Sequence, residues 1–331
     1  MNGRHFAFAL VAVGALLSAG CDDSTNSSGT TSGAGETCTP TTGCPTAAPE
    51  CVGLVDNTGK TNFALRISHL EITQPAALTT QTVKALLDDG VQINLGECKS
   101  ENGTLLFPTT PATGAFSWIL NFDTTAKTLK TGGALPAENP ADGYCFVDKT
   151  IDGFAIKPLE VSAPIDANGN FEIAMPADVV VPVYADRTAT TVILLPLKSV
   201  KITMAKLSNN NNCLGSYNGA ALGDNFCAAS ADVPKFNDAA TLVGFATLED
   251  ADAVTVSQLK KSLCVLLAGD NAAMFTDPSG AKCLRDMNNQ IVLKGDWCAA
   301  TNSAATDTCH DAMKLQGTFA ASSVAMKTSC P

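Results

Sequence analysis

A mainly β fold is what this sequence predicts: an antiparallel β-sandwich or jelly-roll-like body, disulfide-rich, with one or two helices inserted. Three features predict it. From Thr61 onward, short runs of alternating apolar and polar residues recur between clusters of Gly, Asn, Asp and Pro, the period-two pattern of half-buried strands. Charged residues make up only 16% of the chain, against about 25% in typical domains, and Thr, Ser and Asn carry the polar surface instead. Thirteen cysteines supply material for a covalent framework.

The first strand reads TNFALRISHLEIT. Phe63, Leu65 and Ile67 share one face, and the apolar set then slips to Leu70 and Ile72, which predicts a bulge near His69. His69 is therefore read as a strand residue at an irregularity. TTQTVKALLDDG, with Thr caps, apolar Val83, Leu86 and Leu87 and a closing Gly90, predicts a short helix. Strand candidates continue as VQINL, TLLF, AFSWILNF, YCFV, AIKPLEVSA, FEIAM, VVVPVYA, TTVILLPL and SVKITMAKL. Trp118 alternates with Phe116, Leu120 and Phe122 and is assigned to the core. Pro182 has no N–H to give a ladder, so VVVPVYA belongs at an edge or a bulge. In DANGN, Asp166 to Asn170, the Asn168-Gly169 pair suits the positive φ values of a tight hairpin turn. A calcium loop would need glycine at its sixth place and glutamate at its twelfth, and neither is there.

Beyond the run Asn209 to Asn212 the texture changes. In VGFATLEDADAVTVSQLKKSLCVLLAG, Thr255 and Gln258 form a capping box and Val256, Leu259, Leu263, Leu266 and Leu267 form one stripe. With Gly269 closing, they predict a helix over 255–269. Lys260 and Lys261 fall on its wet side, and Cys264 is placed to bridge it to the core. Glu249, Asp250 and Asp252, just ahead, suit a helix amino terminus through its dipole. A DPSG turn (Asp277 to Gly280) then leads to strands QIVLK and MKLQGTFAASSVAMK. Residues 51–331 are expected to form one body, because no Pro- or Ser-rich linker marks residue 208, where a subdivision would fall.

The amino terminus carries the address. Arg4 precedes an uncharged apolar run from Phe6 to Leu17, the length of a secretory h-region and too short to span a bilayer, which takes about 20 residues. Ser18-Ala19-Gly20 follow, then Cys21. This stretch resembles a bacterial lipoprotein signal with its lipobox, although Ser18 stands where leucine is usual and Leu17 lies one place further back. The resemblance implies removal of residues 1–20, a diacylglycerol thioether on Cys21 and acylation of its new amine. Such a group, with each buried CH₂ contributing about 0.8 kcal/mol, anchors a chain stably once more than one acyl chain is present. It implies lipid anchoring in the bacterial cell envelope, at the outer membrane, the cell surface or the periplasmic face of the inner membrane. Residues 21–50 are a Ser/Thr/Gly-rich tether, and 22 to 37 contain no apolar side chain larger than alanine.

Assigning Cys21 to lipid makes the remaining count even. Cys38, Cys44, Cys51, Cys98, Cys145, Cys213, Cys227, Cys264, Cys283, Cys298, Cys309 and Cys330 are the disulfide candidates, as expected in an oxidising compartment. Cys213–Cys227 and Cys298–Cys309, each across a short polar loop, are the local pairs. No metal and no cofactor is expected: the chain has no C-x-x-C and no H-x₃₋₅-H, and zinc needs closely spaced ligands. TDTCH, residues 306–310, has threonine where haem attachment needs a first cysteine.

Removing Arg4 takes the net charge one unit below the −11 of the whole chain. So acidic a surface is repelled by nucleic acid and anionic lipid, leaving the lipid on Cys21 as the expected membrane contact. No catalytic constellation stands out. GSYNG, residues 215–219, has its serine one place early for a nucleophile elbow. Asp311, adjacent to His310, is poorly placed to orient it. Trp297, beside Cys298, is the candidate ligand contact, either as a platform for a sugar or packed on a disulfide. The expectation is a non-enzymatic binding or structural module with a protein or glycan ligand. The alternatives are a carboxylate-based envelope hydrolase acting on glycans and a surface-assembly subunit.

Overall fold

The computed structural model describes residues 55–79, 116–137, 142–184, 188–217, 236–237, 239–257 and 259–330. The signal, Cys21, the tether, the expected helix at TTQTVKALLDDG, the strand candidates VQINL and TLLF, and Cys38, Cys44, Cys51, Cys98 and Cys227 lie outside them.

In chain order the strands are β1 (Asn62–Gln74), β2 (Trp118–Asp123), β3 (Thr128–Gly133), β4 (Lys149–Ile151), β5 (Phe154–Ile156) and β6 (Leu159–Ser162). Next come β7 (Asn170–Ala174), β8 (Val179–Tyr184), β9 (Val192–Lys206), β10 (Cys213–Leu214), β11 (Ser216–Tyr217), β12 (Phe236–Asn237) and β13 (Ala240–Thr247). After α1 (Leu248–Ala253) follow β14 (Thr255–Val256), β15 (Lys261–Ser262), α2 (Leu263–Leu267), α3 (Ala272–Phe275), β16 (Trp297–Cys298), β17 (Ser303–Ala304) and β18 (Ala312–Val324).

The fold is mainly β and antiparallel, as the alternation predicts. Its strands form one main sheet in the order β6-β3-β2-β1-β18-β13-β9-β7, with β8 beside β7 on the outer edge of β9. The sheet curls until its two ends share an interior. Phe63 stacks on Phe122 with ring centroids 5.0 Å apart, and Phe122 meets Phe171 of the far end edge-on at 5.2 Å. The layers of the expected sandwich are thus two halves of one sheet, joined at the short link from β6 to β7. The expected hairpin is not there, since β6 pairs with β3 and β7 with β9, but the turn is: Asp166 accepts from the backbone N–H groups of Asn168 and Asn170, and Gly169 takes φ +83°.

β1 follows the sequence reading closely. Phe63, Leu65 and Ile67 face the interior, and the register with β18 slips between Ile67 and His69, which keeps Leu70 and Ile72 on that same interior face although their spacing in sequence shifts by one. Two candidate strands, TTVILLPL and SVKITMAKL, are a single strand. β9 runs through Pro196 and bends at Ser199 and Met204, both with positive φ, so that its first half pairs with β8 and its second with β7. Pro182 sits on β8, whose one ladder is to β9, and packs over Gly133 of β3. AIKPLEVSA is divided at Lys157-Pro158 into β5 and β6. QIVLK forms no strand; only Ile291 bridges, to Arg285.

The expected helix over 255–269 is not there. Thr255 and Val256 pair with Ser262 and Lys261 as a small hairpin, and Lys260 turns the chain with φ +52°. The helix starts at Leu263, because Ser262 is its cap: its hydroxyl accepts from the Val265 N–H. Leu259, assigned to the stripe, is 51% exposed. Glu249 and Asp250 do occupy a first helical turn, that of α1, which is capped by Thr247.

Two covers overlie the outer face of the sheet. The helical segment packs Leu248, Val254, Leu263, Leu267 and Leu293 on Tyr184, Leu194 and Met313. A strip carrying Ala134 and Tyr144 packs on Ala64, Ile119 and Val324, so β1 and β2 are buried on both faces. Disulfides tie these covers down: Cys145–Cys330, Cys264–Cys283 and Cys298–Cys309, the last being the loop pair expected from sequence. Cys213 is also disulfide-bonded. Residues 36–331 form one compact unit, in which β9 and β13 pair across residue 208. No helix among the described residues is long and apolar enough to cross a membrane.

Candidate functional site

The curl of the sheet leaves a hollow of about 100 Å³ on its inner side. Its wall is built from β1 (Ile67, Leu70, Ile72), β8 (Val179, Val181, Val183), β9 (Leu195, Leu197, Val200, Ile202) and the Phe116–Trp118 entry to β2. Leu78, Met175, Leu242 and Leu315 complete the apolar side chains, and Gly244 and Gly317 add backbone without bulk. Gly317 is required by packing as well: a Cβ there would meet the Glu71 carbonyl at 2.7 Å.

Among the described residues the single polar aliphatic side chain of that wall is Gln316, half-buried beside exposed Gln74, which marks the wet end. Trp118 turns its one polar atom away: its indole N–H donates to Thr131 Oγ1 at 2.8 Å, and that hydroxyl donates to the Ile119 carbonyl. Its ring therefore offers only carbon to the hollow. A wall so poor in polar atoms gives ordered water none of the two to four partners it needs. The hollow fits an apolar occupant.

The acids singled out by sequence form a separate unit. Asp252, 5% exposed, accepts from the Ser262 hydroxyl (2.8 Å), the Cys283 backbone N–H (2.8 Å) and Arg285 Nη2 (3.1 Å). Lys282 donates to its backbone carbonyl. Arg285 also grips Glu249 through both terminal nitrogens, at 3.0 and 2.7 Å, which together with Asp252 raises its pKa. Every carboxylate contact here positions the Cys264–Cys283 bridge or α2. The contacts of this unit are structural, and Asp252 lies beyond the first turn of α1, not at the helix amino terminus where the sequence reading placed it with Glu249 and Asp250.

Trp297 is half-buried. Its indole N–H donates to Asn302 Oδ1 at 3.2 Å, the Lys314 ammonium lies 5.7 Å from its ring and the Phe245 ring 6.2 Å away. It belongs to a flap held by Cys298–Cys309 and by Asp296, which accepts from the Lys314 backbone N–H. His310 Nδ1 is 3.0 Å from the Gly295 carbonyl, and Asp311 accepts from the Ala299 N–H, so the two are not partners.

Two features escaped the sequence. Arg66, on the face opposite Phe63 and Leu65, is 1% exposed. It donates to the Phe116 carbonyl (2.6 Å) and Ser117 Oγ (3.2 Å), with its guanidinium 5.4 Å from the centre of the Tyr144 ring. The available signal was its company, since Ala64 and Ser68 on the same face are small and uncharged. The hollow itself depends on contacts between strands far apart in sequence. Set against protein-family models, curated proteins and solved structures, the chain matches none.

Proposed function

We propose that this chain is a lipid-anchored, disulfide-stapled module of a bacterial cell envelope that binds its ligand without transforming it. One observation carries the binding half of this reading: the interior of the sheet is hollow, and among the described residues its wall is apolar apart from Gln316. The envelope half draws support from the bridges, which persist in oxidising compartments, and from the lipobox resemblance ending at Cys21. On this reading the diacylated and N-acylated Cys21 fixes the protein at the membrane, and the tether lets the β body stand off it by about 22 Å on average. A carboxylate hydrolase finds no support in Glu249 and Asp252, whose oxygens are committed to Arg285, Ser262 and the Cys283 amide.

The test is the intact mass of the protein purified from membranes, before and after alkylation. Three acyl chains, no alkylatable thiol and a bound adduct released on denaturation are expected. A mature chain without acyl groups, or with its thiols free, refutes the envelope reading. A chain that never carries an adduct or a titratable ligand refutes the binding reading.

A further inference from the structure

We propose that the hollow is a seat for one linear alkyl chain, the tail of a fatty acid or of a monoacyl lipid, with the polar head left at the Gln316 end. This rests on the binding reading above and names its ligand class.

The shape of the space selects a chain over a compact molecule. Its lining runs from Ile67 to Ile72 along β1 and from Val179 to Val183 along β8, about 13 to 17 Å at the rise of a strand. A hollow lined along that length by two strands is elongated, and a linear chain follows it where a compact molecule does not.

The chemistry of the wall selects an uncharged tail. An ionised or zwitterionic head placed among Phe116, Val181 and Leu197 would lose its hydration with nothing in exchange. At the other end β1 becomes exposed at Thr73 and Gln74, beside half-buried Gln316, and a head group there keeps its water. Ile72 and Leu78 of the lining are themselves half-buried.

Leu242 offers the test. It is half-buried in the wall, on β13, and is paired in register with Gly317 and Ile202, so a larger side chain there grows into the hollow. The full mature chain is titrated with cis-parinarate, a linear fluorescent fatty acid, and the bound probe is displaced with dodecanoate, dodecylphosphocholine below its micellar concentration, and cyclohexane. One site per chain is expected, with both dodecyl compounds competing within a few-fold of each other and cyclohexane at least tenfold worse. Leu242→Trp is expected to weaken binding at least tenfold while the thermal midpoint without ligand is not lowered. Val181→Phe, on the edge strand β8, replaces it if the tryptophan variant does not fold. Met204→Ala, at an exposed position, is expected to bind as the parent does.

Absence of parinarate binding, undiminished binding in a folded filling variant, competition by dodecanoate alone, or cyclohexane competing equally overturns the assignment. The adduct mass from membrane-purified protein then separates a free fatty acid from a lipid tail. Acylated protein carrying some other adduct but refusing parinarate loses this assignment and keeps the envelope module. Parinarate binding to an unacylated, reduced protein does the reverse.

Discussion

Replacing Asp252 by alanine should be among the most damaging single changes available outside the sheet interior. The carboxylate is 5% exposed and accepts from three donors. Its loss leaves the buried Cys283 amide unpaired and strips the Ser262 hydroxyl of its acceptor, and each unsatisfied buried group costs about 1–3 kcal/mol. Arg285 loses less. Its side chain is 29% exposed and keeps its paired grip on Glu249, so its share is discounted for solvent. The sum is about 3–4 kcal/mol, within reach of the cost of breaking a buried ion pair from one side. For a domain of this size each kcal/mol moves the melting temperature by about 2–4 °C, so calorimetry on Asp252→Ala should record a fall of about 10 °C. Asp252→Asn retains an oxygen for Ser262 and Cys283 and should lose about half as much. Glu249→Gln removes an exposed partner and should cost less than about 1 kcal/mol. The Cys264–Cys283 bridge should also alkylate faster in Asp252→Ala under mild reductant, because the Cys283 amide is no longer held. Equal melting temperatures for Asp252→Ala and Glu249→Gln would refute the assignment of this unit to structure.

Opening Cys145–Cys330 with the double variant Cys145→Ala, Cys330→Ala frees a loop of sequence separation 185, for which chain entropy gives about 5 kcal/mol against about 3 for either shorter bridge. Scanning calorimetry should show the largest fall of the three, and an unchanged midpoint with all thiols shown free would sink the framework. Gly133→Ala places a Cβ 2.4 Å from Pro182 Cγ, an overpacking expected to cost about 1–3 kcal/mol. Adding Pro182→Ala should restore most of that in chemical denaturation, and failure to do so would disprove the contact. In acid, Asp56 is held down to about 2 by the Thr58 hydroxyl and amide and by Asn212, and Asp166 and Asp277 are lowered by Asn170 and Ser279. Their folded pKa values lie below the unfolded ones, so their contribution is complete above about pH 4 and disappears as pH falls toward about 2. Asp56→Asn should flatten the melting temperature against pH in that window, and an identical profile would count against the assignment.

What could be read from the chain was local. The slip of apolar residues in TNFALRISHLEIT marked the bulge because strand periodicity is set within a few residues, and Asn168-Gly169 marked its turn for the same reason. The helix over 255–269 failed for a physical cause. Its stripe has helical spacing, but β-branched Thr255 and Val256 favour a strand, and Ser262 caps a start three residues before Val265. Two adjacent caps competed, and the one whose hydroxyl is held by Asp252, ten residues earlier, prevailed. Arg66 went unnoticed because alternation directs attention to the apolar face and leaves polar residues outward, a rule that holds for a sheet covered on one side only. The cover carrying Tyr144 arrives from much further along the chain and could not be seen in β1 itself. The hollow was hidden likewise: its wall joins β1 to β8 and β9.

The bridges and the hollow occupy different parts of the molecule, and that separation has an energetic sense. An unfilled interior space of about 100 Å³ costs about 2 kcal/mol at about 24 cal/mol per Å³, a sizeable share of the roughly 5–15 kcal/mol by which domains are stable. Cys145–Cys330 fastens the strip over β1 and β2, Cys264–Cys283 the helical cover, and Cys298–Cys309 the Trp297 flap; none of these six residues lines the hollow. Each bridge restricts the unfolded chain by an amount at least comparable to the loss at the centre. Covalent covers thus offset an incompletely packed interior, and the side chains that shape the hollow are released from having to fill it.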